Sequence, residues 1–130
     1  MTHRNIGVVE QVYAAFERRD IAGVLEYLAH DAEAHQSSEV PWGGEYHGHE
    51  GFLHFFGQLT GHVTSKVVVE RYIDAGNHVV ALGRTLGKSN HTGKHFDVPI
   101  AHVWLIEHGK VKRFNPYIDN PTMLAALHES

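Results

Sequence analysis

The sequence predicts an α+β domain, with helices packed on one face of a curved antiparallel sheet. Three observations predict it. Apolar residues recur at helical spacing through the first half of the chain. Beyond Lys66 the rhythm changes to the alternation of strands. Finally, His108-Gly109 joins two apolar runs as a tight hairpin turn would. Helices gathered at one end of a chain and strands at the other indicate segregated layers.

The elements follow in order. Ile6, Val9, Tyr13 and Phe16 lie on one face of an amphipathic helix, with Glu10, Glu17 and Arg18 outside. Asp20 is an N-cap for a second, short helix that turns Val24, Leu25 and Leu28 inward. His30 to Gln36 reads as a short strand, with Ala32 and Ala34 on one face and Asp31, Glu33 and His35 on the other. Ser37 to Gly48 holds Pro41, Gly43, Gly44 and Gly48 and reads as a loop; its Trp42 and Tyr46 are expected to fold over something apolar. Phe52, Phe55, Phe56 and Leu59 give the clearest helical stripe. Strands follow over Lys66–Asp74 and His78–Lys88, with a turn near Gly76-Asn77, then a polar turn over Ser89–Lys94 and the final hairpin. Asn120 caps a last short helix with Pro121 at its first position and Met123, Leu124 and Leu127 inside.

Composition narrows the function. The 130 residues fit one domain and hold no cysteine, which excludes disulfides, thiolate chemistry and Cys-based zinc sites. The net charge of -4 and the scattered Lys and Arg argue against nucleic acid, which requires clustered cations. The N-terminus does not resemble a signal peptide, and no apolar run approaches the ~18 residues that span a bilayer. A cytoplasmic protein with no membrane partner is the expectation. Thirteen histidines are spread along the chain.

Function is sought first in the hairpin. If Glu107 pairs with Lys110 and the strands run on without interruption, Ile106, Trp104, His102 and Ile100 share one face with Val111, Arg113, Asn115 and Tyr117. Asp119 continues that row. A face mixing Trp and Ile with proton-carrying groups is what the wall of an apolar pocket with a few convergent polar groups looks like. The opposite face, with Ala101, Val103, Leu105, Phe114 and Ile118, reads as packing surface.

The order of elements, together with RTLGKSNHTGKHFDVPIAHVWLIEHGKVKRFNPYIDNP from Arg84 to Pro121, resembles the nuclear transport factor two-like superfamily, and within it the SnoaL-like and ketosteroid-isomerase-like proteins. Thr92-Gly93-Lys94 after a strand bearing Arg84, the Gly109-Lys110 turn and the ending Tyr117-Ile118-Asp119 carry the match. The resemblance spans nearly the whole chain and implies a single SnoaL-like domain over residues 1–130. It implies a cone-shaped, cystatin-like sheet with a conical pocket, commonly dimeric through its outer face. In SnoaL-like proteins an Asp ending the last strand acts in proton transfer, and Asp119 occupies the matching place. Known ketosteroid isomerases carry their base on the early strand, here bearing Asp31, Glu33 and His35, which departs from that pattern.

Each candidate has a plainer reading beside it. Asp119 with His102 is the leading pair, as base and partner, with Tyr117 and Asn115 as donors to a developing oxyanion; alternatively Asp119 caps the last helix and His102 is a bonded core residue. Arg84 faces either the pocket, as an anion holder, or a dimer surface. Tyr13, Phe16, Trp42, Tyr46, Phe52, Phe56 and Trp104 line the pocket or pack the core, and His35 is a further ligand-binding candidate. His30, His35, His47, His49 and His54, with Glu33 or Glu50, are the only metal-like grouping; no fixed-spacing ligand signature accompanies them, so no metal is expected. The expected function is a cofactor-independent acid–base enzyme of isomerase or cyclase type acting on a small, mostly apolar carbonyl compound. A non-catalytic binding or interaction module is the alternative. Third comes an epoxide hydrolase of the limonene type, against which stands Leu86 where an Asp–Arg–Asp relay requires an acid.

Overall fold

The computed structural model describes residues 3–128. Helix α1 (His3–Glu17) and the short α2 (Ile21–Glu26) precede strand β1 (Leu28–Gln36) and strand β2 (Gly44–His47). Helix α3 (Gly48–His62) leads into β3 (Val63–Ala75), β4 (His78–Ser89), β5 (His95–Glu107) and β6 (Lys110–Ile118), and α4 (Asn120–Leu127) ends the chain. The six strands form one curved, open sheet in the order β2-β1-β6-β5-β4-β3. Its inner face holds the core beneath α1, α3 and α4.

Local chemistry explains most of these elements. The Asp20 side chain accepts from Gly23 N at 3.0 Å and opens α2, as its position predicts. The β5–β6 hairpin turns on His108 and Gly109, whose φ angles of 54° and 75° are both left-handed. In β3 an extra residue, Glu70, sits between Val69 and Arg71. Beside it, a Cβ on Gly83 would lie 2.0 Å from the Val68 carbonyl oxygen, so only glycine lets β4 follow β3 there.

Three features differ from the sequence expectation. The sheet is mixed, because β1 runs parallel to β6, pairing Ala34 with Phe114. The stretch read as a loop contains β2, which pairs antiparallel with β1. The cap of α4 is Asp119, whose carboxylate accepts from Thr122 N at 3.3 Å, rather than Asn120, which is the first helical residue.

The largest correction concerns the final hairpin. Glu107 pairs with Lys110 and Ile106 with Val111, as expected, but Leu105 then pairs with Arg113. Lys112 is an extra residue in β6, and a side-chain period of two means that one inserted residue turns everything beyond it to the other face. Trp104 therefore lies beside Phe114, Val103 beside Asn115, His102 beside Pro116 and Ala101 beside Tyr117. Phe114 and Pro116 turn inward, while Arg113 and Tyr117 are exposed.

No helix among the described residues is long and apolar enough to cross a membrane.

Candidate functional site

A cavity of about 90 Å³ lies between the inner face of the sheet and helices α1, α3 and α4. α1 supplies Tyr13 and Phe16, α3 Phe55 and Phe56, and α4 Met123, because each helix turns its apolar stripe to the sheet. The sheet supplies Gln36, Thr85, His102, Trp104 and Phe114, and Trp42 comes from the segment between β1 and β2. The walls are aromatic: Trp104 stacks on Phe114 with ring centres 4.0 Å apart, and Phe114 meets Phe55 edge-on at 6.2 Å.

Among the polar groups here, His102 and Tyr13 are tied together. Tyr13 Oη lies 2.7 Å from His102 Nδ1, and Trp104 Nε1 donates to the same oxygen at 3.1 Å. Indole N–H is only a donor, so the phenol oxygen accepts there and its own proton is free to go to Nδ1. The imidazole proton then sits on Nε2, which has no hydrogen-bond partner among the described residues, on a ring that lines the cavity. Burial pushes the His102 pKa down to about 3, so the ring is neutral near pH 7. Burial likewise pushes the Tyr13 hydroxyl well above its ordinary value, against the opposing hydrogen bond from Trp104. The site thus offers a neutral, oriented N–H donor in an apolar enclosure. Such a donor can hold a carbonyl oxygen and hold it more strongly as negative charge develops there.

Of the residues singled out from the sequence, the structure brings His102, Tyr13, Phe16, Trp42, Phe56 and Trp104 to this cavity. Tyr46 and Phe52 are buried in the core instead, Tyr46 donating to the Trp42 carbonyl at 2.9 Å. Three of the four proposed catalytic residues lie elsewhere. Asn115 sits on the strand face opposite Phe114 and Pro116, Tyr117 is 59% exposed, and Asp119 is an exposed helix cap. The Lys112 bulge is the reason for all three. Arg84 lies on the outer face, paired with Asp97, and both side chains are partly exposed. His35 is also on the outer face, 2.8 Å from Glu33, whose carboxyl this contact holds below the usual range. Among the described residues no three His, Asp or Glu side chains converge as metal ligands would. His30 meets His49 at 5.5 Å and His35 meets His47 at 6.4 Å, as separate ring pairs.

Sequence reasoning missed Gln36, Phe55 and Thr85. For Gln36 the signal was present, since Ala32 and Ala34 already define the inner row that it continues. The position of Asp119 carries an expectation of its own. Asp119→Asn should leave thermal stability nearly unchanged, and Asp119→Ala should cost about 1 kcal/mol, because Asn caps a helix as well as Asp does and Ala does not. Thermal melts of the two variants measure the difference, and equal melting points would remove the capping role.

The profile of the SnoaL-like domain matches residues 9–114. Comparison with curated proteins finds no match. Among solved structures, a nuclear transport factor two-like protein of unknown function from Burkholderia pseudomallei is similar at 27% identity. The match covers 95% of this chain and 97% of that one, with a TM-score of 0.89. TerC, co-crystallized with polyporic acid, matches at 23% identity over 95% of this chain and 98% of its own, with a TM-score of 0.88. A protein with a ketosteroid-isomerase-like fold from Catenulispora acidiphila, in complex with trimethylamine, matches at 17% identity and a TM-score of 0.80. That match covers 92% of this chain and 91% of that one.

Proposed function

Because the chain belongs to the SnoaL-like domain family and has a cyclase- or isomerase-type fold, we propose that it takes a small, mostly apolar carbonyl compound into the cone and assists its enolisation. The observation that carries this reading is the buried chain from Trp104 Nε1 through Tyr13 Oη to His102 Nδ1 at the cavity wall. Trp104 and Tyr13 fix the tautomer, the α-proton leaves to a solvent water or hydroxide that enters the cone with the substrate, and His102 Nε2–H meets the carbonyl oxygen. The hydrogen bond strengthens as that oxygen gains charge, which is how a fixed donor lowers the barrier. Tyr13 does not give up its own proton, because burial holds it on the phenol. No step of this scheme calls on a cofactor.

Exchange of ketone α-protons with deuterated solvent, followed by NMR on a panel including α-tetralone, tests the reading. Wild-type protein should accelerate exchange, and His102→Leu should slow it by roughly 10²-fold, the usual effect of deleting one oxyanion donor. A second reading, a binding module without turnover, is favoured by one specific observation. No Asp or Glu lines the cavity among the described residues, so the site has no carboxylate base. Ketone binding without any accelerated exchange would establish that reading and sink the first.

A second copy of the chain is the partner this fold invites. The outer sheet face carries Leu82, Val103 and Leu105 only partly covered, with Val68 and Tyr117 exposed among them. Phe114 and Ile118, expected there from the sequence, face inward instead. A patch of this kind is normally buried against a partner, so light scattering at micromolar concentration should report a dimer. A monomer would refute it.

A further inference from the structure

The cavity holds a second polar group that the scheme above does not use. Gln36 is 7% exposed, lines the cavity, and its Nε2 has no hydrogen-bond partner. Buried polar groups are almost always paired, and leaving one unpaired costs stability that an apolar side chain of the same length would not. An amide retained there is accounted for if a ligand completes it.

The sheet register says where that ligand must reach. Ala34 pairs with Phe114 along parallel strands, so two residues further on Gln36 comes level with Pro116. Pro116 in turn pairs with His102. Gln36, Pro116 and His102 therefore form one row across three adjacent strands of the inner face. Neighbouring strands lie ~4.8 Å apart, which puts the two donor-bearing residues about 10 Å from each other. A six-membered ring with oxygens on opposite sides spans that gap once a hydrogen bond of about 2.9 Å is added at each end.

We infer that Gln36 is a specificity-determining residue: its amide anchors a second oxygen of the ligand, opposite the carbonyl held by His102, so that the site selects flat ring compounds oxygenated at both ends. This inference rests on the carbonyl reading of His102. Trp42, Phe55, Trp104 and Phe114 hold the ring between the two anchors. Selection follows because a compound lacking the second oxygen leaves the amide as unpaired as it was in the empty protein.

The test uses three probes of nearly one shape. Tetralin carries no oxygen, α-tetralone carries the carbonyl, and the third is α-tetralone hydroxylated on the ring carbon opposite the carbonyl. Dissociation constants from isothermal titration are compared for wild type and Gln36→Met, which keeps length and removes the polar atoms. Wild type should bind the hydroxylated ketone about tenfold more tightly than α-tetralone. Gln36→Met should lose that preference, bind α-tetralone about as wild type does, and melt at a higher temperature when empty. A lower melting temperature would show that the amide is already bonded within the protein and would overturn the inference. So would a wild type indifferent to the added hydroxyl, or a variant that weakens both ketones equally. The two readings fail differently. If α-tetralone binds no more tightly than tetralin, the role of His102 falls; if that preference holds and only the second is missing, Gln36 alone falls.

Discussion

Acidification should weaken the folded protein by roughly tenfold in its folding constant per pH unit from about pH 6.5 downward, and His102→Gln should remove most of that slope. The His102 ring is buried, and its pKa falls to about 3 in the folded state, whereas an imidazole in an unfolded chain titrates near 6.5. Between those two values the unfolded chain binds a proton that the folded protein does not. The stability from keeping the ring neutral is therefore complete above about pH 6.5 and is lost progressively as pH falls toward 3. Integrated over that interval, the loss is roughly three powers of ten. Asp31 and Glu33, held low by hydrogen bonds from Lys112 and His35, act in the same direction. They do so only below about pH 5, where ordinary carboxylates begin to protonate, and both are exposed, so solvent screens them. The interval from about pH 6.5 to 5 thus reports His102. Urea unfolding across a pH series, wild type beside His102→Gln, measures it. Parallel curves for the two proteins would mean that the ring is not a buried neutral group.

The same ring shows how far the sequence could be read. Helical periodicity placed α1 and α3 because Phe52, Phe55, Phe56 and Leu59 repeat at a spacing that only a helix turns to one side. The His108-Gly109 turn and the inward face of β5, with Ile100, His102, Trp104 and Ile106, follow from local chemistry alone. Beyond that the reading failed, because pairing across a hairpin accumulates every insertion. One residue, Lys112, moved Asn115, Tyr117 and Asp119 away from the cavity and brought in Phe114, Pro116 and Ile118. Its trace in the sequence is slight: Val111 and Phe114, both buried, stand three apart with two cations between, where an unbroken strand would space them by two. The parallel pairing of β1 with β6 left no local signal at all. It depends on how the chain returns across the sheet, and it is what sets Gln36 in the row of His102.

Tyr13→Phe should be among the costliest single-atom changes in this protein. The lost oxygen accepts from Trp104 Nε1 at 3.1 Å and bonds His102 Nδ1 at 2.7 Å, so its removal strands two buried polar groups together. Each orphaned group costs about 1–3 kcal/mol, which makes a total of about 2–6 kcal/mol, a large share of a typical domain's ~5–15 kcal/mol. Tyr46→Phe is the control. It loses a donor to the Trp42 carbonyl at 2.9 Å and leaves no buried donor behind, so about 1 kcal/mol is expected. Replacing Trp104 by Phe in the Tyr13→Phe background removes one orphan along with its partner, and a double-mutant cycle should therefore show positive coupling between the two sites. Alkaline pH adds a signature. The Tyr13 hydroxyl is held above its ordinary value, so its contribution is complete below about pH 10 and is lost as pH rises beyond it. Burial raises Tyr46 and Tyr72 as well, so the Phe variant should keep their part of the alkaline loss and lack only the Tyr13 share. Ketone exchange should fall as well, because Nδ1 no longer receives a proton and the imidazole is free to turn its bare nitrogen to the cavity. Urea midpoints for Tyr13→Phe and Tyr46→Phe that coincide, with no coupling to Trp104, would dissolve the hydrogen-bonded chain on which the proposed chemistry rests.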